Sequence, residues 1–478
     1  MFEIELKFQV PATRQAAVLK AAATSAASAT TSQLQARYFD TPDRRLAQAR
    51  VALRLRLEDG VWVQTLKGRG DNGIRRLEHE VRLKDTPNPQ LDIARHAGTE
   101  AGLLLSAALG DEPAALQEIF ATDVTRTHRL IRSGGAMIEL AFDVGSLRAG
   151  DVNRPICELE FELKSGPLDA LFSIAQRWAL RHGLWLDVRS KAERGELLAR
   201  GESTKPPTRA VTPSLTRAMP ADAALRCLVA NCLEQVLPNL SALAADVGGA
   251  GHLHQARIGL RRLRTALRLW GTPEPERDAA LAALFAQLGG QRDQDALREG
   301  LLPELLAAAA PMATLAVAPS APSAGDILRG TAHLPVLLQM LAFALGTSVD
   351  DENAPPFKRT AATTLARERR KLRKAAGRFE LMQDTQRHQL RKRLKRLRYG
   401  IELTSTLFKA KTVKHELTAL RPAQDALGRY NDLCVAEALF RAQADTDPRA
   451  WFAVGWLTAG RDAQAVVAGQ ALKKLTKG

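Results

Sequence analysis

Six short segments in the first 165 residues alternate apolar and charged side chains with a period of two, and this alternation constrains the fold most. In residues 2–8, Phe2, Ile4, Leu6 and Phe8 share one face, and Glu3, Glu5 and Lys7 share the other. A period of two belongs to β-strands. It recurs at residues 51–57, 61–67, 77–83, 137–143 and 156–164. The polar faces carry both signs. Acids are Glu3, Glu5, Glu78, Glu80, Glu139, Asp143, Glu158, Glu160 and Glu162; bases are Lys7, Arg54, Arg56, Lys67, Arg76, Arg82 and Arg126. One reading is an antiparallel sheet with a solvated charged face. The other is a sheet curled around that face, where opposite charges compensate the loss of water. Six strands sharing the pattern favour the second. Helical periods appear only at residues 13–23, 111–119 and 167–182 in this half.

Beyond residue 200 the pattern changes. Residues 201–220 hold four prolines with Ser and Thr and no period, which reads as a semi-rigid linker. The rest reads as helices punctuated by Pro and Gly. Charge divides at the same place. Residues 1–200 carry 28 basic and 26 acidic residues, a net of +2; residues 201–478 carry 40 and 26, a net of +14. The total of +16 points to a polyanionic partner. At 478 residues, two or three domains are expected, and we set them at 1–200, 201–218 (linker) and 219–478. Four cysteines form no C-x-x-C pair, which argues against a disulfide scaffold or a cysteine zinc site. The first ten residues carry two acids and no apolar run, unlike a signal peptide. The apolar stretches 301–320 and 332–349 are broken by Pro303, Glu304, Pro311, His333 and Pro335, so buried helices explain them better than membrane spans. A cytoplasmic protein is the expectation.

Acids that hold hard divalent cations, facing bases that suit phosphoryl oxygens, are the layout of a metal-dependent phosphohydrolase. No nucleophilic Ser, Cys or His arrangement competes with it. The opening Glu3-x-Glu5-x-Lys7 resembles the signature of CYTH domains, the triphosphate tunnel metalloenzymes. Further segments reinforce this in the family's order: Tyr38-Phe-Asp40-Thr41, Leu53-Arg54-Leu-Arg56, Gln64-Thr65-Leu-Lys67, Phe142-Asp143-x-Gly145, Glu158-Leu-Glu160-Phe-Glu162-Leu-Lys164 and Ser190-Lys191-Ala-Glu-Arg194-Gly195. The resemblance implies a β-barrel tunnel that binds triphosphate. It assigns Glu3, Glu5, Asp143, Glu158 and Glu160 to Mg²⁺ or Mn²⁺, with Glu3 and Glu5 catalytic. Lys7, Arg54, Arg56, Lys67, Arg126 and Lys191 would bind the triphosphate. Glu78, Glu80 and Glu162 are left as metal ligands or as partners of neighbouring arginines, the latter preferred.

The second half contains a weak repeat. His254, Arg257, Arg261, Arg264 and Arg268 fall within roughly 80° on a helix, one basic stripe. His388, Arg391, Lys395 and Arg398 reproduce it. Residues 358–398 hold 16 Lys+Arg and 3 Asp+Glu, so local charge balance is lacking. Like charges at i,i+3 and i,i+4 destabilise a helix, so a doubled ladder is poorly explained by folding alone. Few aromatics lie near for base stacking, which argues against specific nucleic-acid binding. The paired stripes resemble the CHAD domain, a helical domain of two repeated bundles. That resemblance implies inorganic polyphosphate binding by His254, Arg257, Arg261, Arg264, His388, Arg391, Lys395 and Arg398. Asp293 and Asp432 read as helix caps or braces.

The sequence thus predicts an α+β protein: an antiparallel β-barrel tunnel followed by an all-α domain with two internal repeats. Its expected activity is metal-dependent hydrolysis of inorganic triphosphate, with polyphosphate as a second ligand and polyphosphate granules as a place of association. Alternatives are a weakly catalytic polyphosphate-binding protein, a thiamine-triphosphatase, or an adenylate cyclase using the same tunnel.

Overall fold

A computed structural model describes residues 2–24, 29–69, 75–83, 88–110, 115–289, 297–311, 322–347 and 355–477. Nine strands form one antiparallel sheet: β1 (Phe2–Gln9), β2 (Thr30–Asp40), β3 (Ala52–Glu58), β4 (Val61–Arg69), β5 (Arg75–Leu83), β6 (Gln117–Ser133), β7 (Ala136–Ala149), β8 (Val152–Ser165) and β9 (Trp185–Leu186). Their order is β5-β4-β3-β2-β6-β7-β8-β1-β9. β1 pairs with β8 along Glu5–Gln9 and with β5 along Phe2–Ile4.

The alternation works as the sequence predicts. Leu6, Phe8, Leu159 and Phe161 are at most 1% exposed and pack on the apolar face. Asp143 and Glu158 on the charged face are also fully buried, so that face is an interior one as well. The period-two segments become β1, β3, β4, β5, β7 and β8. The long strands β2 and β6 complete the sheet; β2 also alternates, with Leu34, Ala36 and Tyr38 buried and Gln33 and Gln35 exposed. The helical period read at residues 111–119 is corrected: Gln117 onward belongs to β6, and residues 111–114 lie outside the described ones. A helix stands instead at Glu100–Leu109, its N-terminus capped by the Thr99 hydroxyl.

Residues 200–220 hold no helix or strand. Helices follow, among them Ala221–Ala244, Ala250–Trp270, Phe357–Ala376, Asp384–Leu403, Ala410–Ala444 and Ala450–Lys477. The striped segments fall on two of these, Ala250–Trp270 and Asp384–Leu403. The chain divides into two compact units. The first comprises residues 1–208, 234–252 and 325–346; the second comprises 209–233, 253–324 and 347–478. In the second unit, Leu365, Leu372, Leu390, Leu394, Leu397, Leu420, Leu427 and Leu472 join the last four helices around an apolar core. No helix among the described residues is long and apolar enough to cross a membrane.

Candidate active site

Strand register assembles the acids and bases. Arg126 on β6 stands opposite Asp143 on β7, Asp143 opposite Glu158 on β8, and Glu158 opposite Gln9 on β1. One step along, Glu160 stands opposite Lys7; one further, Glu162 lies between Glu139 and Glu5. Because side chains alternate, these rows share one face. Carboxylate oxygens of Asp143, Glu158 and Glu160 lie within 4.8 Å of one another.

Cations hold the three acids together. Arg126 donates from Nε and Nη2 to the two oxygens of Asp143, each at 2.7 Å, and reaches Glu160 at 2.5 Å. Lys191 Nζ lies 2.7 Å from Asp143 and 2.8 Å from Glu160, and also pairs with Glu158. Arg194 pairs with Glu158, which accepts from Gln9 Nε2 at 3.2 Å. Burial opposes the charges of Asp143, Glu160 and Lys191, and their partners outweigh it. Asp143 is held below the usual carboxylate range by Arg126 and Lys191, and Glu160 well below it by Lys191, Arg126 and Lys7. Lys191 is correspondingly raised by Asp143, Glu158 and Glu160, so it stays an ammonium.

Lys191 is placed by the helix Lys191–Ala199, whose first turn is capped by the Ser190 hydroxyl accepting from the Glu193 amide. Gly195 on that helix has a steric reason. A Cβ there would stand 2.2 Å from the Phe120 ring. Phe120 stacks on Tyr38 at 4.3 Å, and the Tyr38 hydroxyl accepts from Arg54 at 3.2 Å. Arg54 and Arg56 share the interior face of β3, with Glu80 at 3.9 and 3.5 Å. Lys67 lies 3.1 Å from both Glu3 and Glu78. Burial lowers the Lys67 pKa, but Glu3 and Glu78 lift it above the usual value. Glu5 bears electrostatically on both Lys67 and Arg126. Burial and the nearby Glu3 push Glu162 up to about 7, despite Lys164 at 2.6 Å.

The structure therefore brings Asp143, Glu158, Glu160, Arg126 and Lys191 into one contact network. It places Glu3 with Lys67 and Glu78, and Lys7 against the carbonyl of Arg189. Three contributors carry no assignment from sequence: Arg194, Gln9 and Tyr38. Arg194 and Tyr38 stand inside the family-like motifs, which is the available signal; Gln9 continues the period of β1. Asp40, also in a motif, is structural: its carboxylate accepts from the amides of Thr41, Leu46 and Ala47.

A metal must be tested against these residues. All-oxygen carboxylate donors, so close together, suit a hard divalent cation such as Mg²⁺ or Mn²⁺. Three clustered carboxylates demand positive charge, which Lys191, Arg126 and Arg194 now supply. The residues fit.

In the helical half, Arg257 is buried, donates to the Phe285 carbonyl at 2.8 Å, and stacks on the Phe285 ring together with Arg261. Arg264 pairs with Asp278 at 3.3 Å, and Arg398 with Glu402 at 2.7 Å. His388 meets Asn431 at 2.9 Å. Burial, Arg391 and Arg261 push Lys395 down to about 6, so the two stripes feel each other's charge. His254 is exposed. Asp432 bears on Lys395, and Asp293 lies outside the described residues.

Two family models match the chain: the CYTH domain over residues 1–195 and the CHAD domain over residues 227–441. An inorganic triphosphatase from Haemophilus influenzae is 38% identical over 167 residues, which is 34% of this chain and 44% of that protein. The chain thus matches less than half the length of this curated relative. Among solved structures, the CHAD domain from Ricinus communis is 28% identical, with a TM-score of 0.44 over 56% of this chain and 96% of that one. A putative adenylyl cyclase from Hippeastrum, described as revealing a dominant triphosphatase activity, is 16% identical with a TM-score of 0.30, over 42% and 96%. The chain carries an N-terminal CYTH domain and a C-terminal CHAD domain.

Proposed function

We propose that the N-terminal half hydrolyses inorganic triphosphate with a divalent cation, and that the helical half binds inorganic polyphosphate. The observation that carries the first part is the triad Asp143, Glu158 and Glu160, the first two fully buried and all three gathered within 4.8 Å under Lys191 and Arg126. Folding alone rarely favours such a cluster, because hydrophobic residues of similar volume are often as stable. The 38% identity to an inorganic triphosphatase over 167 residues agrees with it.

Asp143, Glu158 and Glu160, aided by Glu3 and Glu5, would hold Mg²⁺ or Mn²⁺. When bound, the cation supplies Lewis-acid stabilisation of phosphoryl oxygens. Lys191 and Arg126 are then free to pair with substrate oxygens, because their carboxylate partners are engaged. Arg54, Arg56 and Lys67 complete a basic wall across the face, and Arg54 stays charged because Tyr38 and Glu78 outweigh its burial. Arg guanidinia can grip phosphate bidentately. Glu5 would orient the attacking water and accept its proton. Positioning and electrostatics carry most of such a reaction, so no covalent intermediate is needed.

The test is phosphate release from tripolyphosphate, ATP and thiamine triphosphate, with Mg²⁺, Mn²⁺ or EDTA, by wild type and Glu5→Gln. Fastest release from tripolyphosphate, abolished by EDTA and weakened in Glu5→Gln, supports the reading. Metal-independent release, or equal activity of Glu5→Gln, overturns it. For the helical half, the two basic stripes carry the proposal. Salt-sensitive binding of polyphosphate, weakened by Arg261→Ala, supports it.

A further inference from the structure

The helix Phe357–Ala376 has two unlike faces. Phe357, Ala361, Thr364, Leu365, Glu368, Leu372 and Ala376 are buried, at the three- and four-residue spacing of a core face. On the other side, Arg359, Arg367, Arg370, Arg373 and Lys374 are all exposed. At 100° per residue these five fall within about 120°. They form a ridge. None of the five has an ion-pair partner within 4 Å among the described residues, whereas the flanking Arg369 and Lys371 pair with Glu416 and Glu368. The helix holds one acid, Glu368, which is buried on the opposite face.

The internal repeat shows that the fold does not require this ridge. The offset that aligns His254 with His388 also aligns the helix Ala221–Ala244 with residues 355–378. The positions matching Arg359, Arg367, Arg370 and Lys374 are Leu225, Leu233, Val236 and Leu240, all buried. An apolar, covered face in one repeat is thus basic and open in the other. Repulsion between cations three and four apart works against the helix.

The ridge is separate from the stripes. On the helix Asp384–Leu403, Arg393 lies on the side opposite His388, Arg391, Lys395 and Arg398, and it is Arg393 that donates to the Lys371 carbonyl, at 3.3 Å. The chemistry of the ridge narrows its partner. It has no aromatic side chain for base stacking and no large apolar anchor of the kind protein interfaces use. Four of its five cations are arginines, which favour phosphate. A phosphate polyanion without bases fits it best.

We propose that the solvent face of Phe357–Ala376 is a second track for long-chain inorganic polyphosphate, so that one domain engages a long chain at two surfaces. This rests on the reading that the helical half binds polyphosphate.

The experiment measures binding of long-chain and short-chain polyphosphate to the full chain across a salt series. It compares wild type, the ridge variant Arg367→Ala/Arg370→Ala/Lys374→Ala and the stripe variant Arg261→Ala/Lys395→Ala. The ridge variant should lose long-chain affinity while keeping short-chain affinity. Its plot of log affinity against log salt should be shallower by about 2, at roughly 0.7 for each phosphate no longer neutralised. Its melting temperature should not fall, since all three side chains are exposed. Unchanged long-chain affinity and slope in the ridge variant, with wild type binding, would overturn the second track alone. Tighter ridge-dependent binding of duplex DNA than of polyphosphate would also overturn it. Failure of wild type to bind polyphosphate would instead remove the underlying reading of the domain.

Discussion

Replacing Lys191 by methionine should turn the stability of the N-terminal half into a function of divalent metal. In the wild type, three carboxylates (Asp143, Glu158, Glu160) meet three cations (Lys191, Arg126, Arg194). Lys191 touches all three acids. Lys191→Met keeps the length of the stem but leaves one negative charge uncompensated in a buried site. Removing one partner from a buried ion pair costs about 3–5 kcal/mol. At roughly 2–4 °C per kcal/mol for a unit of this size, the melting temperature in EDTA should fall on the order of 10 °C. A cation bound at about 100 times its Kd returns roughly 2.7 kcal/mol, so Mg²⁺ or Mn²⁺ should recover about half of the loss. Wild type should gain less, because there the metal must first displace the ammonium from the carboxylates. The assay is thermal denaturation by circular dichroism in EDTA and in millimolar MgCl₂ or MnCl₂. An equal metal-induced rise in both proteins, or no loss in EDTA, would refute the reasoning.

Three more outcomes are expected. Gly195→Ala drives a methyl group into the Phe120 ring and should cost about 1–3 kcal/mol of stability by overpacking; chemical denaturation measures it, and an unchanged midpoint counts against the packing account. Lys395 sits near 6 because of burial, Arg391 and Arg261, so at pH 8 it is neutral in the free protein. Polyphosphate would favour its charged form, so binding takes up a proton and affinity should fall by up to about tenfold per pH unit above 6; titration calorimetry across pH checks this, and Lys395→Gln should flatten the dependence. His96 is fully buried against Gln64 and His79 and, through burial and His79, held at about 4. An unfolded histidine protonates near 6.5, so the unfolded state binds the extra proton between these values and stability should drop as pH falls through that window. Denaturant midpoints at pH 7 and pH 5 test this against His96→Gln.

How far the sequence reaches depends on which physical signal each element leaves. β1, β7 and β8 alternate charged and apolar residues, so period and face are both legible, and Asp143, Glu158 and Glu160 can be placed on one face. β6 has the polar Thr125 and Thr127 opposite the apolar Val144 and Phe142 of β7, so its alternation is weak and its start reads as helix. The partnership of Arg126 with Asp143 needs strand register, which period alone does not give. Lys191 and Arg194 approach the acids from a helix, and that approach exists only because Gly195 lets the helix lie against Phe120. In the second half, the helical period groups Arg257 with Arg261 correctly as a direction. It cannot tell that Phe285 covers the first, which is buried while Arg261 is only half-buried.

The central claim is that the buried acid cluster of the first half holds a divalent cation for triphosphate hydrolysis. Phosphate release from tripolyphosphate by the full chain, wild type against Glu160→Gln, in Mg²⁺ or Mn²⁺, tests it most directly. Glu160 meets both Lys191 and Arg126, and its loss should reduce kcat/KM by about 10²–10³-fold, the scale of removing one transition-state electrostatic contact. Activity within a few-fold of wild type would contradict the account.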